Sequence, residues 1–164
     1  MLAPRAIGNG QVAARFMGLL TNKIRDRVIS NEEEDLRLIT VQALGLLAQR
    51  YEPPMALFRK GLSADWWYFR TNWVSSRPMH ETAARLAAST IQAVAHSGRP
   101  EAGDMLARAR KRYEVYEVEE EKFTRSFAAE FEQATNRMAD FPRYGPTRWL
   151  QRVIAEDLPK AKFD

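Results

Sequence analysis

One long stretch, Asp104–Phe141, contains neither proline nor glycine, and it most constrains what this chain can fold into. Its apolar residues recur mostly at steps of three, four or seven: Ala109, Tyr113, Tyr116, Phe123, Phe127, Phe131, Ala134 and Met138. Such spacing is typical of a long packed helical seam. We therefore expect one helix of about 35 residues over 102–140, roughly 54 Å long at about 1.5 Å per residue. Glu120 interrupts the series, so a bend or break is expected there if anywhere.

Further helices are predicted wherever apolar residues recur at helical spacing between proline and glycine breaks. Their expected ranges are 11–29, 31–51, 54–60, 64–75, 81–96 and 147–158. An irregular arm (1–10) precedes them and a short tail (159–164) follows. The expected fold is all-α, a single helical domain over 11–158 with about six helices. Because its apolar residues cover most of its circumference, the helix over 31–51 is expected to be central.

Several helix ends carry local signals. Asn31 is expected to cap the second helix, with Glu34 at the capping-box position. The acids Glu32–Asp35 then favour the positive end of the helix dipole and should be solvated. Ser63 is expected to cap the aromatic helix, and Ser97-Gly98 to end the alanine-rich one. No strand is predicted, because no alternating run is followed by an Asn-Gly or Asp-Gly turn.

Composition restricts the class of protein. The 164 residues are 45% hydrophobic and 28% charged, as in a globular domain. Cysteine is absent, which excludes disulfides, thiolate nucleophiles and cysteine-based metal sites. No run approaches the roughly 20 apolar residues of a membrane span, and no secretory signal is recognised. Positive charge lies at both ends: residues 1–30 hold five bases and one acid, whereas 101–141 holds seven bases and ten acids.

The sequence lacks the motifs of common enzymes. No Gly-x-Ser-x-Gly, Walker loop or Gly-x-Gly-x-x-Gly is present. His80 and His96 stand sixteen residues apart, and neither follows a carboxylate at the spacing of a helical metal site. We therefore expect no catalytic residues, no metal and no cofactor, and a protein that is not an enzyme. A site assembled from distant residues would leave no local motif.

The aromatic cluster ADWWYFRTNWVSS (64–76) has three interpretations. On a helical wheel one stripe comprises Trp66, Trp67, Phe69, Trp73 and Val74, the width of a core-facing surface. Tyr68 falls on the opposite side, and Arg70 lies inside the arc, where it can stack on an indole. Burial in the chain's own core is favoured because each Trp buries about 150–250 Å². A protein or lipid interface and base stacking are the alternatives.

A dense basic patch, RARKR, lies within the proposed long helix. Its charged members are Arg108, Arg110, Lys111 and Arg112. On a helix they spread over several faces, so a solvated surface is the simpler interpretation. The alternative is a site for phosphate or acidic groups, which requires such charges on one face.

The candidate interface residues are aromatic side chains and one arginine. They are Trp66, Trp67, Arg70, Trp73, Tyr113, Tyr116, Phe123, Phe127, Phe131 and Trp149. With them we expect a non-enzymatic structural or accessory subunit, or helical interaction protein, of a larger multi-protein assembly. The alternative is a basic helical nucleic-acid-binding or regulatory protein. A third interpretation is a small-ligand pocket lined by Trp66, Trp73 and Tyr113.

The N-terminal segment adds an expectation about location. Its first acid is Asp26, and residues 11–29 are predicted to form a basic amphipathic helix. This composition is similar to a mitochondrial targeting segment, so a mitochondrial membrane complex is the specific version of the assembly. The cytoplasm is the alternative. A basic helix of this kind also allows peripheral contact with anionic lipids.

Overall fold

The computed structural model describes residues 10–21, 28–70, 74–75 and 78–157, and this part is mostly helical, as predicted. Its seven helices are α1 (Gly10–Thr21), α2 (Asn31–Leu47), α3 (Pro53–Gly61), α4 (Ala64–Arg70), α5 (Met79–His96), α6 (Ala102–Tyr113) and α7 (Ala128–Asp157). Its strands are β1 (Val28–Ile29), β2 (Val74–Ser75), β3 (Val115–Val118) and β4 (Phe123–Ser126). Except for Gly10, the predicted arm and tail lie outside the described residues.

The single long helix predicted over 102–140 is wrong. The chain leaves α6 at Tyr113, forms the antiparallel hairpin β3–β4 and enters α7 at Ala128. Along β3 the side chains alternate, with Tyr116 buried between exposed Val115 and Glu117. Valine, tyrosine and phenylalanine favour such half-buried strands. The hairpin therefore buries the aromatic residues with a period of two instead of a helical period.

The hairpin turn also explains why no strand was predicted. Val118 pairs with Phe123, so four residues form the turn, and none of them is glycine. The Lys122 N–H donates to the Glu119 carbonyl at 3.1 Å. Lys122 has a φ of 50°, the left-handed conformation that glycine or asparagine usually supplies. The usual sequence signal of a hairpin is therefore missing.

Helix α7 continues through Pro142, Gly145 and Pro146 to Asp157. The break predicted there, and the separate helix over 147–158, are therefore wrong. A proline removes one intrahelical hydrogen bond and costs about 3 kcal/mol. The two prolines and the glycine therefore favour a break in the helix, but the helix continues through them.

The central element is α5, where α2 was expected. It packs most extensively against α2, and also against α7, α4, α3 and α6. Most of its surface is buried, and many of its buried side chains are alanine or another small residue. The closest approach lies at Gly45 of α2, where an added Cβ would be 2.5 Å from the Ala93 carbonyl oxygen. Small residues therefore bring the two helices almost backbone to backbone.

The local signals at the helix ends were partly predictive. Ser63 caps α4 through a hydrogen bond from the Trp66 amide at 3.4 Å, and Gly98 follows α5 with a φ of 57°, as predicted. The cap of α2 is Ser30, not Asn31, because the Ser30 hydroxyl accepts the Glu33 amide at 3.2 Å. Helix α2 also ends at Leu47, four residues earlier than expected.

Two predicted helices are shorter than expected. The first helix was predicted to reach residue 29 and the aromatic helix residue 75. Instead, Val28–Ile29 and Val74–Ser75 form a short parallel pair of strands. Residues 22–27 and 71–73 lie outside the described part of the chain.

Candidate functional site

Helix α6 presents two charge groups and an apolar ridge on one face. Residues four apart on a helix share a face, so Asp104, Arg108 and Arg112 align there. Met105 and Ala109 form the adjoining ridge and are buried. Acids at the start of a helix and bases at its end also favour its dipole, which helps this charged segment to fold as a helix.

The end of α3 lies opposite this face of α6. Pro53 and Pro54 start that helix, since proline is tolerated in a first turn. Its end is held by Trp67, whose indole N–H donates to the Gly61 carbonyl at 2.7 Å. This contact fixes the position of Arg59 and Leu62 beside α6.

Between the two walls lies a cleft of about 420 Å³, which we call the arginine cleft. Its lining residues are Arg59, Leu62, Glu101, Asp104, Met105, Arg108, Ala109, Arg112 and Tyr113. The floor is apolar and the rim is charged. Ligand sites in proteins commonly combine an apolar lining with a few polar groups in this way, and their volumes start at about 300 Å³.

The cationic groups of the cleft are available to a ligand. Arg59, Arg108 and Arg112 are exposed, and within the described residues none forms an ion pair with a carboxylate within 4.0 Å. Arg110 differs, because its Nε donates to Glu114 at 2.7 Å. This hydrogen bond raises the pKa of Arg110. Arginine suits such a role because its planar guanidinium binds carboxylates and phosphates in a bidentate manner.

The predicted basic patch therefore divides into two. Arg108 and Arg112 line the arginine cleft together with the candidate interface residue Tyr113. Arg110 and Lys111 do not line it. Arg59 was missed by the sequence analysis, since it lies about fifty residues earlier and carries no local motif.

The aromatic cluster belongs mainly to the core. Trp67 is fully buried, and Trp66 packs on it edge-on with ring centroids 4.8 Å apart. Phe69, predicted in the buried stripe, is 76% exposed. Tyr68, predicted to face outward, is partly buried against the core. Tyr68 and Phe69 are neighbours on α4, and the packing of the described residues places Tyr68, not Phe69, against the core.

The side chains of three interface candidates are not among those that the structure describes. Trp73 falls in the undescribed residues 71–73, and the Arg70 side chain is also undescribed. Trp149 lies within α7, but its side chain is not described. The predicted stacking of Arg70 on an indole therefore stays a prediction.

The aromatic residues of the predicted long helical seam contact this chain's own helices. Phe127 and Phe131 are buried, and Phe123 is partly buried against His80, with ring centroids 4.5 Å apart. Tyr116 is only 6% exposed. In this structure Tyr116, Phe127 and Phe131 offer almost no accessible surface to a partner.

The phenol of Tyr116 titrates abnormally. Burial raises its pKa to about 12, and the charges of Asp65 and Tyr68 add to the shift. The folded hairpin therefore favours the neutral phenol. Loss of the phenol proton at alkaline pH therefore opposes the burial of Tyr116 in the folded hairpin.

A buried ion pair joins α2 to α5, and sequence reasoning missed it. Glu34 is fully buried, so its predicted solvation is wrong. Its carboxylate accepts hydrogen bonds from Thr82 Oγ1 at 3.0 Å and from the Arg85 guanidinium. Arg85 also pairs with Asp35 at 2.8 Å. Because every group here has a partner within the fold, the cluster supports packing and is not our candidate site.

The described ranges contain neither a cluster of metal-binding side chains nor a membrane-spanning helix. Within those ranges, no three histidine, aspartate or glutamate side chains are grouped so that they could hold a metal ion. In the same part of the chain, no helix has both the length and the apolar character needed to cross a membrane.

Comparison with known proteins gives no assignment. No protein-family model, curated protein or solved structure matches this chain.

Proposed function

We propose that this chain is a non-enzymatic accessory or interaction subunit of a larger protein assembly, and that it binds an acidic segment of a partner in the arginine cleft. The observation that carries the proposal is the set of three exposed arginines above an apolar floor, which have no carboxylate partner among the described residues. Charge-assisted hydrogen bonds to arginine are about twice as strong as neutral ones. An acidic side chain next to an apolar one would satisfy both parts of the cleft.

A protein partner is favoured over nucleic acid. Nucleic-acid surfaces gather lysine and arginine on one face to contact successive phosphates. Here Arg110 and Lys111 lie away from Arg108 and Arg112, and the cleft also contains Glu101 and Asp104. These carboxylates would repel the continuous negative charge of a phosphate backbone, whereas a protein segment can place its acidic side chains at the arginines alone. Salt-sensitive nucleic-acid binding at about 50 mM salt, lost on neutralising the four bases of RARKR, would favour the alternative function.

The experiment compares two variants with the same change in charge. Arg108→Gln with Arg112→Gln removes two cations from the cleft, whereas Arg110→Gln with Lys111→Gln removes two from elsewhere on α6. Tagged wild-type and variant chains are used to isolate partners from native extract. A stoichiometric partner should be retained by the wild type and the second variant, and lost by the first.

Two results would contradict the proposal. One is equal partner recovery by both double variants, which would place the interaction away from the cleft. The other is a purified chain that stays monomeric and recovers no stable partner from the extract. Both variants should first show wild-type thermal unfolding, because all four substituted side chains are exposed.

A mitochondrial location for the assembly remains part of the proposal. It rests on the basic composition of residues 1–30, with five bases and one acid. A fusion of residues 1–30 to a fluorescent reporter should enter mitochondria. A diffuse cytosolic reporter would count against import while leaving the proposed docking in the arginine cleft intact.

A further inference from the structure

The charges that line the arginine cleft change sign along α6. Glu101 and Asp104 lie at the start of the helix, and Arg108 and Arg112 lie towards its end. At about 1.5 Å per residue, the midpoints of the two pairs are roughly 11 Å apart. Along the α6 wall, one end of the cleft is therefore acidic and the other is basic.

Among the described residues, the charges at both ends have no ion-pair partner. Asp104 stands four residues before Arg108, a spacing at which opposite charges often pair on a helix. Yet in the described part of the chain neither Glu101 nor Asp104 forms an ion pair within 4.0 Å. Arg110, on another side of the same helix, does pair with the residue four positions later, Glu114. The cleft-lining charges thus remain free for a ligand of matching pattern.

The apolar floor lies between the two charged ends. Met105 and Ala109 occupy it from α6, and Leu62, the residue after α3, lines it from the other side. All three are buried, so they offer only a narrow apolar contact, which the partly buried ring of Tyr113 extends. A small apolar side chain of a ligand would contact this floor while charged neighbours reach the ends.

We infer that the arginine cleft binds a bipolar protein segment: a basic side chain at the Glu101 and Asp104 end, an apolar side chain over the floor, and acidic side chains at the arginine end. The inference rests on the proposed function and deepens it by naming the charge pattern of the partner. In an extended peptide, about 3.3 Å per residue places the two charged groups three or four residues apart. A uniformly acidic segment would meet repulsion at Glu101 and Asp104.

Three fluorescein-labelled peptides of equal length test this charge pattern. Each carries a central leucine, and the flanking residues are two lysines and two glutamates, four glutamates, or four lysines. Binding is measured by fluorescence anisotropy. Exposed charge pairs contribute only modestly, so the wild type should bind the bipolar peptide roughly twofold to thirtyfold more tightly than the acidic one. The lysine peptide should bind most weakly, because the cleft contains three cations and two anions.

Substitution at each end separates this inference from the proposed function. Glu101→Gln with Asp104→Asn should remove the preference for the bipolar peptide and strengthen binding of the acidic one. Arg108→Gln with Arg112→Gln should weaken binding of both. Arg110→Gln with Lys111→Gln serves as the control and should preserve the order of affinities.

Each contrary result has a defined meaning. If the wild type binds the acidic peptide as tightly as the bipolar one, and the Glu101 and Asp104 substitutions change nothing, the bipolar inference is overturned while the proposed acidic docking stands. If neither peptide binds, or if loss of Arg108 and Arg112 has no effect, both proposals fall. Tighter binding of the lysine peptide would also overturn both.

Discussion

Replacing Gly45 by alanine should destabilise this protein, although the same change in most helices is favourable. Alanine is preferred over glycine in a helix interior by about 1 kcal/mol. At Gly45, however, the new Cβ would lie 2.5 Å from the Ala93 carbonyl oxygen and 2.8 Å from the Ala93 Cα. These atoms belong to the backbone of α5, so no side-chain rotation can relieve the contact.

The magnitude follows from the overlap. Ordinary van der Waals contact begins at 3.4 Å, so the 2.5 Å separation is short by about 0.9 Å. Helices α2 and α5 must move apart, which disturbs the most extensive helix contact in the described fold. Overpacking of a core costs about 1–3 kcal/mol and occasionally more. After subtraction of the propensity gain, we expect a net loss of up to about 2 kcal/mol, which lowers Tm by up to about 4–8 °C for a domain of this size.

A matched control is available in α1. Gly18 is also helical, and a Cβ added there would meet nothing within 4 Å. Gly18→Ala should therefore raise the free energy of unfolding by about 0.5–1 kcal/mol. The assay is thermal and urea unfolding of wild type and both variants, followed by circular dichroism of the helices.

The two substitutions should change the free energy of unfolding in opposite directions, and this difference is the test. If Gly45→Ala unfolds at or above the wild-type temperature while Gly18→Ala behaves as expected, the close contact between α2 and α5 is not a constraint. The same result would refute the claim that small residues set the spacing of these helices.

Three further predictions concern the aromatic residues and the hairpin turn. Trp67→Phe should lower the free energy of unfolding by about 2–3 kcal/mol, because it leaves a cavity and an unpaired Gly61 carbonyl. Phe69→Ala, at an exposed site, should change the free energy of unfolding by less than about 0.5 kcal/mol. Equal effects of the two substitutions in urea titrations would refute the burial of Trp67. Because the folded state raises the pKa of Tyr116 from 10.0 to about 12, the unfolded chain releases this proton first, so wild-type stability should fall as the pH rises through that window. Tyr116→Phe should show a smaller fall in urea midpoint between about pH 9 and about pH 11, and an unchanged pH dependence would contradict the assignment. Lys122→Gly should raise the melting temperature through a gain of up to about 1 kcal/mol, because glycine adopts a positive φ without steric cost; a lower melting temperature would show that the turn is not strained there.

The sequence predicted those parts of the fold that have local causes. Helical class follows from apolar spacing, and the Ser63 cap and the stop at Ser97-Gly98 depend on neighbouring backbone groups alone. The hairpin escaped prediction because its strands contain four residues each, too few to distinguish a period of two from a helical period. Its turn also places Lys122 where glycine would have signalled a turn.

Only part of the candidate site could be predicted from the sequence. Arg108 and Arg112 share a helix face through their spacing, and the sequence shows it directly. Arg59 reaches the same cleft through the packing of α3, which depends on Trp67 and Gly61. Likewise, Glu34 and Arg85 are 51 residues apart, and nothing in either local sequence distinguishes a buried partner from a solvated acid.

The central place of α5 has a consequence for synthesis of the chain. Helix α2 is complete at Leu47, but the surface it packs against is complete only at His96, 49 residues later. At about 5–20 residues per second, this interval lasts roughly 2–10 seconds. During that time the face of α2 around Gly45, which packs on α5 in the folded protein, has no native partner to cover it. The largest helix contact of the fold can therefore form only seconds after the first of its two helices has been made.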